Sequence, residues 1–243
     1  MSPGKSVALH PFRPVLNFSA LQRDVIRMIA FMAMVRDHIA TSFHLDMPLL
    51  NMAGRCAFPL FALVSGCNMA GKTLRQHSLN RLWLMAFLAQ PGYWLAFRDA
   101  GLMWWQLNIL FAFAVVMQVA RFLQAATVLN CVAVFTVLVG YLPLSSASYS
   151  IPGLLMLAGA LLIWQVRDSL RPALFAVWLL LVALLNARHG DVMMLSGVIL
   201  TQAVLFCVHG LVPASGRRLQ AGRLFAPGYV IHLLCTGVLV SVL

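Results

Sequence analysis

The chain has 243 residues, of which 62% are hydrophobic and only 9% charged. A soluble domain carries roughly a quarter charged residues to cover its core with a wet surface, so this composition excludes a water-soluble globule and points to lipid as the outer solvent. The formal charge of +11 does not indicate nucleic acid, because the basic residues sit at the ends of apolar runs and not on one polar face.

The first stretch holds Lys5 and Arg13 but no compact apolar core ahead of a cleavage site, so a cleaved signal peptide is not expected. An apolar run needs about 20 residues, within roughly 17–25, to cross a bilayer. Nine runs fit, at about 25–45, 49–70, 80–98, 103–121, 125–142, 150–166, 172–187, 191–211 and 225–243. The expectation is an all-α integral membrane protein, a polytopic bundle of about nine transmembrane helices. Residues 1–243 would form a single transmembrane domain, with 1–24 a cytoplasmic N-terminal segment. The fifth and sixth runs are parted only by the uncharged stretch from Pro143 to Ser150. Tyr93, Trp94, Trp104, Trp105 and Tyr149 fall near predicted ends, where amphipathic rings favour the interface. Cys56, Cys67, Cys131, Cys207 and Cys235 lie inside apolar runs without CxxC or CxxH spacing, and read as small packing groups that imply neither disulfide nor metal.

Nine spans would sort the basic residues strongly. Thirteen fall on the N-terminal side: Lys5, Arg13, Arg23, Arg27, Lys72, Arg75, Arg81, Arg121, Arg167, Arg171, Arg217, Arg218 and Arg223. Only Arg98 and Arg188 fall on the other side. The bias places the N-terminus in the cytoplasm.

An ionisable group inside a bilayer is a functional hypothesis by default. The first run carries Arg36, Asp37 and His38 in succession, with Arg27 eleven residues before the histidine. Eleven residues at ~100° each return to within about 20° of the same face, so Arg27 and His38 share a stripe with Phe31 and Met34, about 16 Å apart along the axis. Asp37 lies about 18 Å from the cytoplasmic end of its helix. Arg55, entering from the opposite side of a ~30 Å core, lies about 21 Å from that surface. An Asp37–Arg55 ion pair is therefore expected, either orienting a site beside His38 or simply stapling two helices. Arg36 faces away and has no expected partner. The imidazole of His38 can take or give a proton near neutrality. Gln90 beside Pro91, Gln106 and Asn108, His209, and Tyr229 with His232 add polar groups to other runs, and together they suggest a polar cavity.

The stretch IRMIAFMAMVRDHI followed by GRCAFPLFALVSG resembles the opening of the TraX family, the F-pilin acetylases. LAQPGYWLAF, NILFAFA, YSIPGLLML and APGYVIHLL extend the likeness over nearly the whole chain. Asp37, His38, Arg55, Phe58, Pro59, Asn108 and His232 match the family's motif positions. Arg36 stands where an apolar residue is expected, and Arg27 where lysine is common. The Arg27-to-His38 spacing is also similar, more weakly, to the opening of the acyltransferase-3 membrane family.

The TraX resemblance implies transfer of an acetyl group from acetyl-CoA to the N-terminal amine of a pilin subunit in the bacterial inner membrane. It implies His38 as general base, Asp37 and Arg55 fixing its surroundings, and Asn108 donating to the developing oxyanion. Arg27 and Arg81 would hold the CoA phosphates, and Gln90, Tyr229 and His232 would bind substrate. Pilin and membrane lipid are the partners implied, with no metal. The alternatives are O-acylation of a surface glycan, and a transporter or assembly factor without catalysis.

Overall fold

The apolar runs fold as helices, and the computed structural model describes residues 16–125, 127–216, 219 and 224–243. In chain order these are α1 (Ala20–Ser42), α2 (Pro48–Gly54), α3 (Ala57–Met69), α4 (Gln76–Phe97), α5 (Ile109–Leu123), α6 (Val128–Tyr141), α7 (Ser150–Ile163), α8 (Arg171–Ala187), α9 (Asp191–Leu211) and α10 (Phe225–Val242). Two short 3₁₀ turns, Leu142–Leu144 and Ser146–Ser148, join α6 to α7. Among the described residues there is no strand. Of the basic residues counted in the charge asymmetry, Lys5, Arg13, Arg217, Arg218 and Arg223 lie outside the described residues.

The expected nine transmembrane helices are not what the structure holds. Among the described residues three helices are long and apolar enough to cross a membrane: Pro48–Met69, in which α2 and α3 run on with a break at Arg55 and Cys56, then Asp191–Leu211 and Phe225–Val242. Two causes reduce the number. Helix α1 has 23 residues and α4 has 22, but α1 carries Arg23, Asp24, Arg27, Arg36, Asp37 and His38, and α4 carries Gln76, His77, Asn80, Arg81 and Gln90. Helices α5, α6, α7 and α8 are apolar but stop at 15, 14, 14 and 17 residues. At ~1.5 Å per residue they reach about 21–26 Å, short of a ~30 Å core. Local capping sets those lengths. The fourth apolar run was expected to begin at 103, yet Asn108 accepts a hydrogen bond from the backbone N–H of Leu110 and starts α5 at Ile109.

Helix α1 begins with a reciprocal capping box, in which Ser19 accepts from the Gln22 backbone and the Gln22 side chain accepts from the Ser19 backbone. The same Gln22 donates to the Val212 carbonyl at 2.9 Å, tying the start of α1 to the end of α9. Small residues set the closest helix approaches, as they do where lipid supplies no drive for side chains to associate. On α4, Ala86, Ala89, Gly92 and Ala96 are buried, and α10 lies against them. A Cβ at Gly92 would sit 2.8 Å from the Leu234 backbone nitrogen, and one at Gly237 would sit 2.9 Å from the Gly92 carbonyl oxygen. This contact carries α10, with Tyr229 and His232, against the bundle next to α1.

Gly54 does the same between α2 and α1. A Cβ there would lie 2.6 Å from Asp37 Oδ1, a separation real side chains do not adopt. Gly54→Val is expected to destabilise the protein by about 2–3 kcal/mol, through forced separation of the two helices. The thermal unfolding midpoint of the detergent-solubilised protein measures it, and an unchanged midpoint would show that the helices do not meet at Asp37.

Candidate functional site between two cavities

Each end of the bundle holds a cavity. The larger, about 720 Å³, opens where the start of α1, the end of α3, the start of α4 and the start of α10 come together. Arg27, Lys72 and Arg75 stand on its wall, and Phe31, Met34, Phe61, Leu79 and Phe113 line its apolar parts. The second, about 380 Å³, lies toward the other end of α1 and is lined by Asp37, His38, Gly54 and the rings of Phe58, Tyr93, Phe97, Tyr149 and Tyr229. The two cavities share Met34, Phe61, Ile109, Phe113 and Tyr229, which therefore form a common wall. The expected stripe along α1 runs through both: Arg27, Phe31 and Met34 face the basic cavity, and Met34 and His38 face the aromatic one.

His38 meets a partner that its position in the sequence does not suggest. Its Nδ1 lies 2.8 Å from Nε2 of His232, and the two rings stack with centroids 5.0 Å apart. Phe97 and Tyr229 close on His38 edge-on, at 5.1 and 6.2 Å. The other nitrogen of His232, Nδ1, is buried without a hydrogen-bond partner. In the tautomer where Nδ1–H of His38 donates to Nε2 of His232, Nε2 of His38 keeps a free lone pair. This is the base-plus-orienting-group logic of nucleophilic sites, assembled from two imidazoles.

The expected ion pair is present: Arg55 Nη2 lies 3.4 Å from Asp37 Oδ1, with the two side chains 13% and 23% exposed. Arg55 Nε also donates to the Asn51 carbonyl at 3.2 Å, which holds the guanidinium across the break between α2 and α3. Arg27 pairs with Asp24 one turn earlier, at 3.1 Å, and Asp24 is buried.

Tyr149 was expected only as an interfacial ring. Its backbone adopts φ 66°, a left-handed conformation costly for a bulky residue and kept only where surroundings impose it. Its ring stacks on Phe58 at 5.1 Å, and the Arg188 guanidinium sits 5.0 Å from the ring centroid. The turn before it is fixed by a 2.7 Å bond between the Tyr141 and Ser148 hydroxyls. Nothing in the sequence short of the turn geometry marks this residue.

Three other expected site residues stand apart from the cavities. Asn108 is buried, and its amide nitrogen donates to the Ala86 carbonyl and to Gln90 Oε1, both at 2.9 Å, so its two amide hydrogens are taken. Gln90 also accepts from the Asn108 backbone and donates to the Gln106 carbonyl at 2.7 Å. These two residues form a polar clasp between α4 and the start of α5. Arg81 is exposed and lines neither cavity. Ser78, Leu79 and Leu82 share the cavity face of α4, in line with Arg75 at its N-cap, and Arg81 lies about 100° round from it. Lys72 and Arg75, from the loop before α4, line the basic cavity instead.

Among the described residues no group of three or more His, Cys, Asp or Glu side chains could hold a metal. Fold and site together define an all-helical, multi-pass membrane protein with an ionisable centre between two cavities. The chain belongs to the TraX protein family, which matches residues 22–240. It is 38% identical over 229 residues to Protein TraX of Escherichia coli, covering 92% of this chain and 89% of that protein. It is 37% identical over 230 residues to Protein TraX of Escherichia coli strain K12, covering 93% and 90%. No solved structure matches the chain significantly. Family membership supports an acyltransferase-type enzyme of the inner membrane.

Proposed function

We propose that the protein transfers an acetyl group from acetyl-CoA, held in the basic cavity at the cytoplasmic face, to the N-terminal amine of a membrane-embedded pilin subunit held in the aromatic cavity. The observation that carries this reading is the common wall. A cavity with a cationic mouth and a cavity bearing an oriented histidine lie back to back, so a donor and an acceptor confined to opposite sides of a bilayer can meet there without either crossing it.

The basic cavity suits the donor by its chemistry. Arg27, Lys72 and Arg75 offer charge-assisted bonds to phosphates. Below them the walls are apolar, and Asn68 presents a buried amide nitrogen with no hydrogen-bond partner, fit for the amide carbonyls of a pantetheine arm. The volume falls in the ~300–1,000 Å³ range of small-molecule sites. The cations gathered at this end support a cytoplasmic orientation for it, on the side where acetyl-CoA is made. The aromatic cavity suits an amine better than a sugar hydroxyl. Seven phenylalanine and tyrosine rings and one carboxylate, Asp37, line it, and an ammonium is attracted by both.

An α-amino group titrates at about 7.7–8.0, so part of it is neutral at physiological pH. The neutral amine attacks the thioester carbonyl at the wall, and a C–N bond forms. Nε2 of His38 takes the proton that the attacking nitrogen sheds. The C–S bond then breaks, and the departing thiolate takes that proton to leave as CoA thiol. Tyr229, which lines both cavities, is placed to donate its hydroxyl to the transient oxyanion. Arg55 and Asp37 fix the floor beside His38.

The test is acetylation in proteoliposomes containing the full-length protein and pilin, with acetyl-CoA supplied on one face and the pilin examined by mass spectrometry. The expected product is pilin carrying one acetyl group on its N-terminal nitrogen, formed when acetyl-CoA meets the basic face. Lys72→Gln with Arg75→Gln should raise KM for acetyl-CoA about tenfold or more while kcat holds. Unmodified pilin, or acetyl groups appearing on a glycan supplied in parallel, would overturn the reading.

A further inference from the structure

The loop that brings Lys72 and Arg75 to the basic cavity, residues 70–75, has no regular structure of its own. Most of its residues are exposed, and Leu74 is its single buried anchor. A loop so built would ordinarily wander, yet both backbone groups of Leu74 are held by side chains from the last turns of α5. The Leu74 carbonyl accepts from Arg121 Nη1 at 2.6 Å, and the Leu74 N–H donates to Gln124 Oε1 at 3.3 Å. Arg121 Nε donates to Gln76 Oε1 at 2.8 Å, at the residue where α4 begins. Gln118 exchanges bonds with Gln76 at 3.1 and 3.2 Å and accepts from Trp83 Nε1 at 3.4 Å.

Gln118, Arg121 and Gln124 follow one another at intervals of three, so they form a single row up one face of α5. Arg121 sits in the last turn, where the helix dipole favours a cation. Among the bonds just named, its guanidinium is engaged with a carbonyl and an amide oxygen. The row therefore spends a charged group on shaping a loop. What stands on either side of the clamped residue is cationic: Lys72 two positions before Leu74, and Arg75 one after.

We infer that the row Gln118–Arg121–Gln124 is a positioning device for the anionic end of the acyl donor: it fixes Leu74 so that Lys72 and Arg75 are already arrayed at the cavity mouth when the phosphates arrive. The inference rests on the reading of the basic cavity as the donor site. Preorganisation of this kind raises affinity by removing the cost of ordering the loop and its long side chains on binding. Its signature is selective. A ligand that carries phosphates benefits, and one that carries only the thioester and pantetheine arm does not.

The experiment measures binding of acetyl-CoA and of acetyl-pantetheine, which lacks the nucleotide and its phosphates, to the full-length protein in nanodiscs. Wild type should bind acetyl-CoA at least tenfold more tightly than acetyl-pantetheine. Arg121→Gln should lose about tenfold for acetyl-CoA and nothing for acetyl-pantetheine, with Arg121→Lys in between. Gln124→Ala removes the N–H anchor alone and should show a smaller loss of the same selectivity, which keeps the test open should Arg121→Gln fail to fold. Joined to the Lys72→Gln and Arg75→Gln pair, Arg121→Gln should add almost nothing, since it acts through those two charges. If the Lys72 and Arg75 replacements weaken acetyl-CoA but Arg121→Gln and Gln124→Ala do not, the positioning role is overturned and the donor site stands. If wild type shows no preference for acetyl-CoA over acetyl-pantetheine, the donor site itself falls, and the positioning role with it.

Discussion

His38→Ala protein is expected to insert, fold and bind acetyl-CoA as wild type does, while the proposed acetyl transfer slows by about 10²–10⁴, the usual cost of losing a general base. The expectation comes from geometry. His38 lines the aromatic cavity, its Nδ1 is committed to His232 at 2.8 Å, and in the tautomer that donates from Nδ1 its other nitrogen is left as the acceptor. In the proposed function acetyl-CoA occupies the far side of the common wall, so its binding should not register the change. His232→Ala should cost less, because the base survives without its orienting partner, and His232→Gln should recover part of the loss by accepting from Nδ1–H. The double variant should be no slower than His38→Ala alone, as expected for groups acting as one unit. Rates come from single-turnover acetylation of pilin, and donor affinity from direct binding. A His38→Ala protein that acetylates at the normal rate would reduce the pair to a helix–helix contact and move the chemistry elsewhere.

The second large effect concerns stability. Asp37→Asn and Arg55→Gln should each destabilise the protein by about 1–3 kcal/mol, less than the cost of breaking a dry ion pair because both groups keep some exposure. The double replacement should recover much of either loss, since no charge is then stranded. The 3.4 Å separation and the tie from Arg55 to the Asn51 carbonyl put the pair at the break between α2 and α3, so the local consequence is a loosened Pro48–Met69 helix. Thermal unfolding of the four proteins gives the coupling directly. Additive losses would mean that the charges do not interact.

Where function needed only local periodicity, the sequence was readable. The Arg27-to-His38 stripe follows from 3.6 residues per turn, and the Asp37–Arg55 pair from rise per residue along two neighbouring helices. The His38–His232 contact was not readable in that way. Its partners are 194 positions apart, and their meeting depends on how α10 docks on α4 through Gly92 and Gly237. That is a packing outcome no single-helix pattern encodes. The span count failed for a different reason. Apolar content shows where a helix can form, but a cap decides where it starts, and Asn108 ahead of ILFAFA is the kind of residue that does so. Read as a cap, it would have shortened the fourth run and been recognised as structural. Arg81 likewise yields to the same periodicity that placed Arg27, once α4 is assigned the face that Arg75, Leu79 and Leu82 share.

The common wall has one more consequence, for the cell and not for the reaction. A bacterium stores energy as a proton gradient across its inner membrane, and any continuous wet path through a protein drains it. Met34, Phe61, Ile109 and Phe113 are hydrocarbon or thioether and offer no relay for a hydronium ion; Tyr229 alone brings a hydroxyl. If the protein acts as proposed, a partition of this make-up would let a cytoplasmic metabolite serve an external acceptor without discharging the membrane.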